Sequence, residues 1–499
     1  DVISYTPFEV ANQTFTGNTT MTDVVAATLD ISGDIDIDGT TNLDVVDIDG
    51  AVQIDATLSV GVNDTGHDVK FFGATASRHM TWDESADSLI ISGDLDVNDG
   101  TIKLDGNYPV GTGNVALGDA AMNGSISGNY NTAVGQVAGT ALTSGTKNAF
   151  FGSYTADANT TGSNNTAIGQ AAFSTNTTGG SNTVVGNDAL FSNTTADNNN
   201  ALGMSAGYST TTGHSNNFMG RNAGYSNTTG SANTGLGHNA LNSNTTASEN
   251  TAVGYQALYS NTTGTPNNAF GRQAMYHNTT GGANNAFGEQ TLSTNTTGSQ
   301  NTAFGNLALA YNTTADNNTA VGYQASYSGT TADNTVAIGN TALYSATTGG
   351  GNTAVGSASM YATTGIDNVA VGASTLRFNT SGASNVAMGL QALYSNTTSS
   401  GNTAVGYQAG YSQTTASGGS SSFFGYQAGY SLTGLFCTFL GGQAGYSATS
   451  GQSNTFVGHA AGTAITTGSK NTIIGRYNGN QDGLDIRTSS NNIVLSDGD

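Results

Sequence analysis

Hydrophobic and polar positions repeat with a short fixed period along most of this chain. The segment "NTAVGYQALYSNTTG" (250–264) shows the unit: a polar residue, a short apolar run, a glycine, a second apolar run, and then Asn, Thr and Gly. We call the first glycine of the unit the anchor and number positions from it. Anchors follow every 17 residues from Gly118 to Gly356, and every 16 to 19 residues from there to Gly475. These 22 copies predict a repeat architecture.

Position −1, directly before the anchor, is bulky and apolar in all 22 copies. We interpret it as a core position. Position −2 is usually Ala, so both phases of this short strand are apolar, which is typical of a strand covered on both faces. Because a thin coil has only one interior, we expect the second face to lie against a neighbouring chain. Examples of the predicted core ladder are Val134, Phe151, Ile168, Val253, Phe304 and Ile474.

The unit predicts a β coil, since Gly, Asn and Thr interrupt every window before two helical turns could form. Two strands of about five residues and two turns would close one coil. Stacked coils place equivalent side chains about 4.8 Å apart, so the array would extend for on the order of 100 Å. The expected fold is all-β: an elongated, fibrous, 17-residue-repeat parallel β-roll or solenoid. We favour a parallel homotrimer, and a dimer or a filament polymer stays open.

Position −4 is Asn in 19 of the 22 copies, which predicts a structural ladder of stacked amides. The exceptions are Thr335, Ser421 and Cys437, the only cysteine of the chain. We therefore interpret Cys437 as a structural substitute rather than a nucleophile, because the sequence supplies no positive setting around it. Members of the predicted Asn ladder include Asn131, Asn165, Asn250, Asn301, Asn402 and Asn471.

The rest of the chain lacks the regular spacing of anchor glycines. We expect an N-terminal extension or docking segment in residues 1–20, and an acidic region of short strands with a small β module in residues 21–112. The 22-repeat array is assigned to residues 113–478, and a cap or junction strand to residues 479–499. Alternation in "ATLDISGDIDIDG", with Asp-Gly turns, supports short strands before the array.

Charge and hydropathy exclude several classes of function. Charged residues make up 9% of the 499 residues, and the net charge is −23. This balance argues against a groove that follows nucleic-acid phosphates. No run of 18 apolar residues is present, so the sequence predicts no membrane insertion.

Catalytic and metal-binding patterns are not apparent in the repeats. Carboxylates such as Asp197, Glu249, Glu289 and Asp316 do not recur as the paired groups that a glycoside hydrolase uses. The histidines at 67, 79, 214, 238, 277 and 459 lack metal-ligand spacing. We therefore expect no enzyme and no cofactor. Calcium at the N-terminal Asp-rich strands is the weaker alternative to solvated strand faces.

Two further features have two readings each. Aromatic residues at position +5 could form a surface rank that stacks on sugars, although a ladder stabilising the coil or a chain interface is the favoured interpretation. The "NTT" strings at Asn193, Asn227 and Asn261 match the glycosylation sequon, but Asn and Thr also form turns. The aromatic rank includes Tyr208, Tyr225, Tyr259, Tyr327, Tyr344, Tyr394 and Tyr411.

The repeat "NTAVGYQALYSNTTG" resembles repeats of bacteriophage tail-fibre-like proteins. Its "NTAVG" or "NVAVG" core is similar to the unit in the heads of trimeric autotransporter adhesins, which are trimers of left-handed parallel β-rolls. The segments "TLSVGVNDTGHDVKFFGATASRHMTWDESADSLII" and "NNIVLSDGD" also resemble phage-fibre sequence. The resemblance implies an extracellular or virion-bound fibre that attaches to a cell-surface glycan or protein.

We therefore expect a non-enzymatic structural or adhesive fibre with rigid extension and multivalent attachment. A cell-made extracellular filament that polymerises end to end through its N-terminal segment is the alternative. An ice-binding solenoid and a polysaccharide-cutting enzyme with sites between chains are weaker hypotheses.

Overall fold

The computed structural model describes residues 69–72, 79–83, 88–92, 111–414 and 419–497. The chain divides into two units, Asp1–Ile102 and Lys103–Asp499. In the first unit, strands β1 (Val69–Phe72), β2 (His79–Asp83) and β3 (Ser88–Ser92) form an antiparallel sheet in that order. The predicted docking segment at residues 1–20 and most of the Asp-rich strands lie outside the described residues.

The second unit is an elongated parallel β-solenoid in which each coil contributes one strand to one ladder. Each strand pairs with its neighbours in the coils before and after it, as β12 does with β11 and β13. At about 4.8 Å per strand, the 23 paired strands extend for roughly 100 Å. The ladder strands are β4 (Val115–Leu117), β5 (Thr132–Val134), β6 (Ala149–Phe151), β7 (Thr166–Ile168), β8 (Thr183–Val185), β9 (Asn200–Leu202), β10 (Asn217–Met219), β11 (Thr234–Leu236), β12 (Thr251–Val253), β13 (Asn267–Phe270), β14 (Asn284–Phe287), β15 (Thr302–Phe304), β16 (Thr319–Val321), β17 (Val336–Ile338), β18 (Thr353–Val355), β19 (Val369–Val371), β20 (Val386–Met388), β21 (Thr403–Val405), β22 (Ser422–Phe424), β23 (Thr438–Leu440), β24 (Thr455–Val457), β25 (Thr472–Ile474) and, after the hairpin strands β26 (Asn480–Gln481) and β27 (Leu484–Asp485), β28 (Ile493–Leu495).

The prediction of two five-residue strands per coil is wrong, because each ladder strand has only three or four residues. The rest of the coil is a chain of turns. In the coil of Gly254, left-handed backbone occurs at Gln256 (φ 55°) and Leu258 (φ 49°), and the anchor itself has φ 134°. These reversals of handedness curl the backbone where a strand would extend it. The turns still bond between coils, as the Leu258 N–H does to the Ala274 carbonyl at 3.0 Å.

The interior of each coil is filled from positions −2, +3 and +4. Ala252, Ala257 and Leu258 are all fully buried. Where position −2 is Phe instead of Ala, the large side chain comes from the strand, and position +4 is usually Gly. Phe218 shows this arrangement, because a Cβ on Gly224 would lie 2.4 Å from its ring. A larger side chain at position −2 is therefore balanced by a smaller one at position +4, which keeps the volume of the densely packed core nearly constant.

The amides at position −4 form one buried, hydrogen-bonded column. The backbone N–H of Asn131 donates to Asn114 Oδ1 at 2.8 Å, and its side-chain Nδ2 donates to the Gly145 carbonyl at 2.9 Å. The same contacts recur along the array, for example where Asn301 receives the backbone N–H of Asn318 at 3.0 Å. Each amide thus joins one coil to the next and satisfies backbone groups inside the coil.

A second Asn column at position +7 was not recognised in the sequence. Asn261 donates from Nδ2 to Asn244 Oδ1 at 2.9 Å and to the Gly264 carbonyl at 3.0 Å, and it is fully buried. The next residue adds a third column, since the Thr262 hydroxyl donates to the Thr279 carbonyl at 3.0 Å. The signal for both columns was the recurring "NTT" at a fixed distance from the anchor. In the folded chain these Asn side chains are structural, and Asn193, Asn227 and Asn261 are inaccessible to a glycan.

At the C-terminal end of the array, a short hairpin covers the core and one further strand joins the ladder. The β26–β27 hairpin places Tyr477 and Ile486 against the last coil, where they are only 5% and 2% exposed. Beyond the hairpin, β28 rejoins the ladder by pairing Thr472 with Ile493. Residues 479–495 therefore contain both a cap and one more ladder strand.

We predict that Asn301→Leu lowers the free energy of unfolding by about 2–3 kcal/mol, because it leaves the Ala315 carbonyl and the Asn318 N–H buried without partners. Denaturant unfolding followed by circular dichroism measures the change. Asn301→Thr should lose less, since the Thr335 hydroxyl serves the same column by donating to Asn318 Oδ1 at 2.7 Å. Asn340→Ala, at an exposed position, is the control. Equal midpoints for Asn301→Leu and Asn340→Ala would contradict a stabilising amide column.

Candidate interaction surface

The ladder strands present one continuous row of side chains on the outside of the array. Strand residues alternate in direction, so position −2 points into the coil and positions −1 and −3 point out. We call the outward side chains at positions −1 and −3 of β4–β25 the strand face. In β15, Ala303 is fully buried whereas Thr302 and Phe304 are exposed.

The predicted core ladder lies on this strand face, so its assignment to the interior of the coil is wrong. Phe304 is 59% exposed, and the remaining members are exposed or half-buried. The coil interior is filled by the side chains at positions −2, +3 and +4. Because position −2 is usually the small Ala, the sequence did not show which phase of the strand points inward. The corrected residues are Val134, Phe151, Ile168, Val253, Phe304 and Ile474.

The strand face forms an unbroken apolar ridge with a polar flank. All 22 side chains at position −1 are apolar, and Thr is the commonest residue at position −3. If each apolar side chain exposes roughly 50 Å², the ridge presents on the order of 1,000 Å², against about 300–600 Å² for the largest patch on a typical monomer. A shallow groove of about 310 Å³ lies on it, lined by residues that include Val185, Leu202 and Met219. Such a surface is typical of an interface.

The aromatic residues at position +5 form stacked columns on another side of the coil. Tyr208 lies between Phe191 and Tyr225, with ring centroids 5.2 and 5.1 Å away and nearly parallel planes. A longer column joins Tyr394, Tyr411, Tyr430 and Tyr446. Since each ring covers its neighbour's face, only rings at the ends of columns offer a face to a ligand. This geometry favours the stabilising ladder over a continuous sugar-stacking rank.

The packing of these columns also acts on the phenol groups. A hydrogen bond to Tyr311, 3.5 Å between hydroxyl oxygens, is the main reason that the pKa of Tyr327 rises to about 12. Burial raises the pKa of Tyr411 as well. The hydroxyls of Tyr327 and Tyr411 therefore stay protonated at neutral pH.

The predicted Asn and aromatic sets are each brought together by the stacking. Asn131, Asn165, Asn250, Asn301, Asn402 and Asn471 are all buried in the position −4 column. The tyrosines divide into separate columns: Tyr208 and Tyr225 lie in one, Tyr259 stacks with Tyr276, Tyr327 stacks with Tyr344, and Tyr394 and Tyr411 lie in a fourth.

Cys437 occupies the position −4 column as a buried side chain. Its sulfur lies 3.5 Å from the carbonyl oxygens of Leu435 and Gly451, in the place that an Asn amide takes in other coils. Burial raises the pKa of the Cys437 thiol to about 11. A protonated, inaccessible thiol is a poor nucleophile, which agrees with the structural interpretation.

The described ranges contain no group of three or more His, Cys, Asp or Glu residues that could hold a metal ion. The ion pairs within them are exposed, as between Arg272 and Glu289 at 2.8 Å. No described helix has the length and hydropathy to cross a bilayer.

Comparison with protein-family models, with curated proteins and with solved structures gave no match.

Proposed function

We propose that this protein is a non-enzymatic extracellular structural and adhesive fibre, of the kind that forms a bacteriophage tail fibre. Parallel copies associate through the strand face, and the bundle extends rigidly from a cell or a virion toward a glycan or protein receptor. The observation that carries this proposal is the apolar ridge, which runs along an array of 22 coils. A ridge of this length would be a liability on an isolated chain in water.

A second copy of the same chain fits the ridge better than an unrelated partner. A parallel copy in register repeats every apolar side chain at the same spacing of about 4.8 Å. The charge balance permits close approach, because residues 111–497 contain 12 Asp and Glu and 7 Lys and Arg. Position −1 varies among Val, Leu, Ile, Met and Phe, so identical registers would place matched sizes at each level. Three copies would enclose their ridges around one axis, which is why we favour the trimer.

Native molar mass tests this arrangement. We expect unheated protein to elute as a single species near three times the 50.1 kDa chain in light scattering coupled to size exclusion. The double variant Phe304→Asp/Ile338→Asp should shift the mass toward one chain, since it places charges on the buried ridge. The control Thr314→Asp/Thr331→Asp puts the same charges at exposed positions outside the strand face and should keep the mass of the wild type.

The two alternatives give different results in the same measurement. A wild-type mass of one chain, or a mass unchanged by the ridge variant, contradicts association through the strand face. A broad distribution of very large masses instead favours the cell-made filament that polymerises through its N-terminal segment.

A further inference from the structure

The longest interruption of the position +5 aromatic columns leaves one ring face uncovered. Tyr276 stacks on Tyr259 with a centroid distance of 5.1 Å and nearly parallel planes. In the next two coils position +5 is Ser293 and then Ala310, so no aromatic ring continues the column. The face of Tyr276 that points toward those coils therefore borders an open recess. The following column begins only with Tyr311 and Tyr327.

A second column stops at the same level. Glutamines at position +2 donate from coil to coil, from Gln273 to Gln256 at 3.2 Å and from Gln290 to Gln273 at 3.3 Å. Position +2 of the following coil is Leu307. Among the described residues nothing donates to the carboxamide oxygen of Gln290, so this column ends with a hydrogen-bond acceptor beside the uncovered ring.

The two column ends border a shallow, open recess of about 260 Å³. It is lined by Gln273, Tyr276, His277, Gln290, Ser293 and Thr294. The His277 ring lies 4.6 Å from the Tyr276 ring, centroid to centroid, and is nearly perpendicular to it, so it forms another wall of the recess. The volume is below the roughly 300–1,000 Å³ of sites for drug-sized ligands, so the recess itself suits one small ring.

We propose that this recess binds a neutral pyranose, which takes the place of the missing aromatic rung. The C–H groups on the apolar face of a sugar ring carry partial positive charge and match the negative face of the Tyr276 ring. Sugar hydroxyls donate to the Gln290 carboxamide oxygen and reach the side chains of His277 and Ser293. No carboxylate, Lys or Arg lines the recess, which favours a neutral sugar over an acidic or a basic one.

A sugar site would identify the class of receptor to which the fibre attaches, and in that respect the inference rests on the proposed function. One recess on each chain of a parallel bundle would present several equivalent sites at one level of the fibre. Weak single-site binding would then be strengthened by the high effective concentration of neighbouring sites.

Saturation-transfer difference NMR of the full chain tests the site with methyl β-D-galactopyranoside, methyl β-D-glucopyranoside and methyl N-acetyl-β-D-glucosaminide. We expect saturation of the C–H protons on one face of at least one of these sugars. Tyr276→Ala should weaken its binding at least about tenfold, because it removes the stacking platform. Ser293→Tyr restores the residue type that is common at position +5, completes the column and should abolish binding without loss of stability.

Asn242→Tyr is the matched control, because it fills a different interruption, between Tyr225 and Tyr259, and should leave sugar binding unchanged. The inference is overturned if none of the three sugars receives saturation, or if binding persists in Ser293→Tyr. Molar mass measured on the same samples separates the two proposals. A trimer that binds no sugar would support the fibre proposal and contradict the sugar site. A monomer that binds sugar would support the site and contradict association into a fibre.

Discussion

Gly254→Ala is expected to prevent its coil from stacking and to lower the free energy of unfolding by more than about 4 kcal/mol. Two effects combine. The anchor has φ 134°, a conformation that only glycine adopts without strain, and that strain alone costs on the order of 1–3 kcal/mol. A Cβ would also lie 2.5 Å from the Gly271 carbonyl oxygen of the next coil. Because that oxygen belongs to the backbone, the clash is relieved only if the coils separate.

Denaturant unfolding and hydrogen exchange measure this effect, and exchange should accelerate first in the coils of Gly254 and Gly271. Gly442→Ala is the matched control, since a Cβ there would meet nothing nearer than the His459 ring at 3.4 Å. Both glycines follow a short apolar strand, so the neighbouring sequence does not predict that the two substitutions differ in effect. If Gly254→Ala unfolded at the same denaturant concentration as Gly442→Ala, close coil contact at the anchors would be disproved.

A double-mutant cycle at Phe218 and Gly224 is expected to give a coupling energy on the order of 3 kcal/mol. Phe218→Ala alone removes the largest side chain from its coil and should cost about 3–5 kcal/mol. Gly224→Leu alone forces a side chain into a position 2.4 Å from the Phe218 ring and should be at least as damaging. Together the two changes recreate the Ala and Leu pair found at Ala252 and Leu258, where Leu already adopts φ 49°.

Recovery in the double variant should be partial. Phe218 also fills space beside Gly207 of the preceding coil, where a Cβ would lie 3.0 Å from its ring, and Leu at position 224 does not reach that space. Adding Gly207→Leu should recover more of the stability. Denaturant midpoints of the single, double and triple variants give the cycle. Additive losses in the double variant would show that the two positions do not share one core volume.

Much of the fold could be predicted from the spacing of residues. The constant 17-residue step requires equivalent residues to stack, so the Asn column through Asn301 and the aromatic column through Tyr208 follow from position alone. The "NTT" column was missed for a different reason. Its residue types are as frequent in exposed turns as in buried ladders, and the burial of Asn261 depends on the path that the turns take around the core.

The candidate sites were less predictable. The face of Tyr276 is uncovered because the next coil has Ser293 in place of an aromatic residue. It can be recognised as a candidate site only when Gln290 and His277 are placed around it. Stacking between Tyr259 and Tyr276 was needed to show that one ring face is covered and the other is not. Sequence alone identified aromatic residues at regular spacing without indicating which faces remain open.

By itself the sequence determined the class of fold and the order of the coils. A fixed period in Gly, Asn and apolar residues is satisfied when each residue stacks on the equivalent residue of the next coil. The tertiary structure decided which apolar phase is inside. Shifting a strand by one residue exchanges its two faces, and both faces are apolar here, so hydrophobicity cannot distinguish Ala303 from Phe304. The left-handed turns after each anchor leave a narrow interior that accepts Ala at position −2 with Leu at +4, or Phe with Gly. The bulky side chains at position −1 are therefore placed outward, where a second chain can cover them.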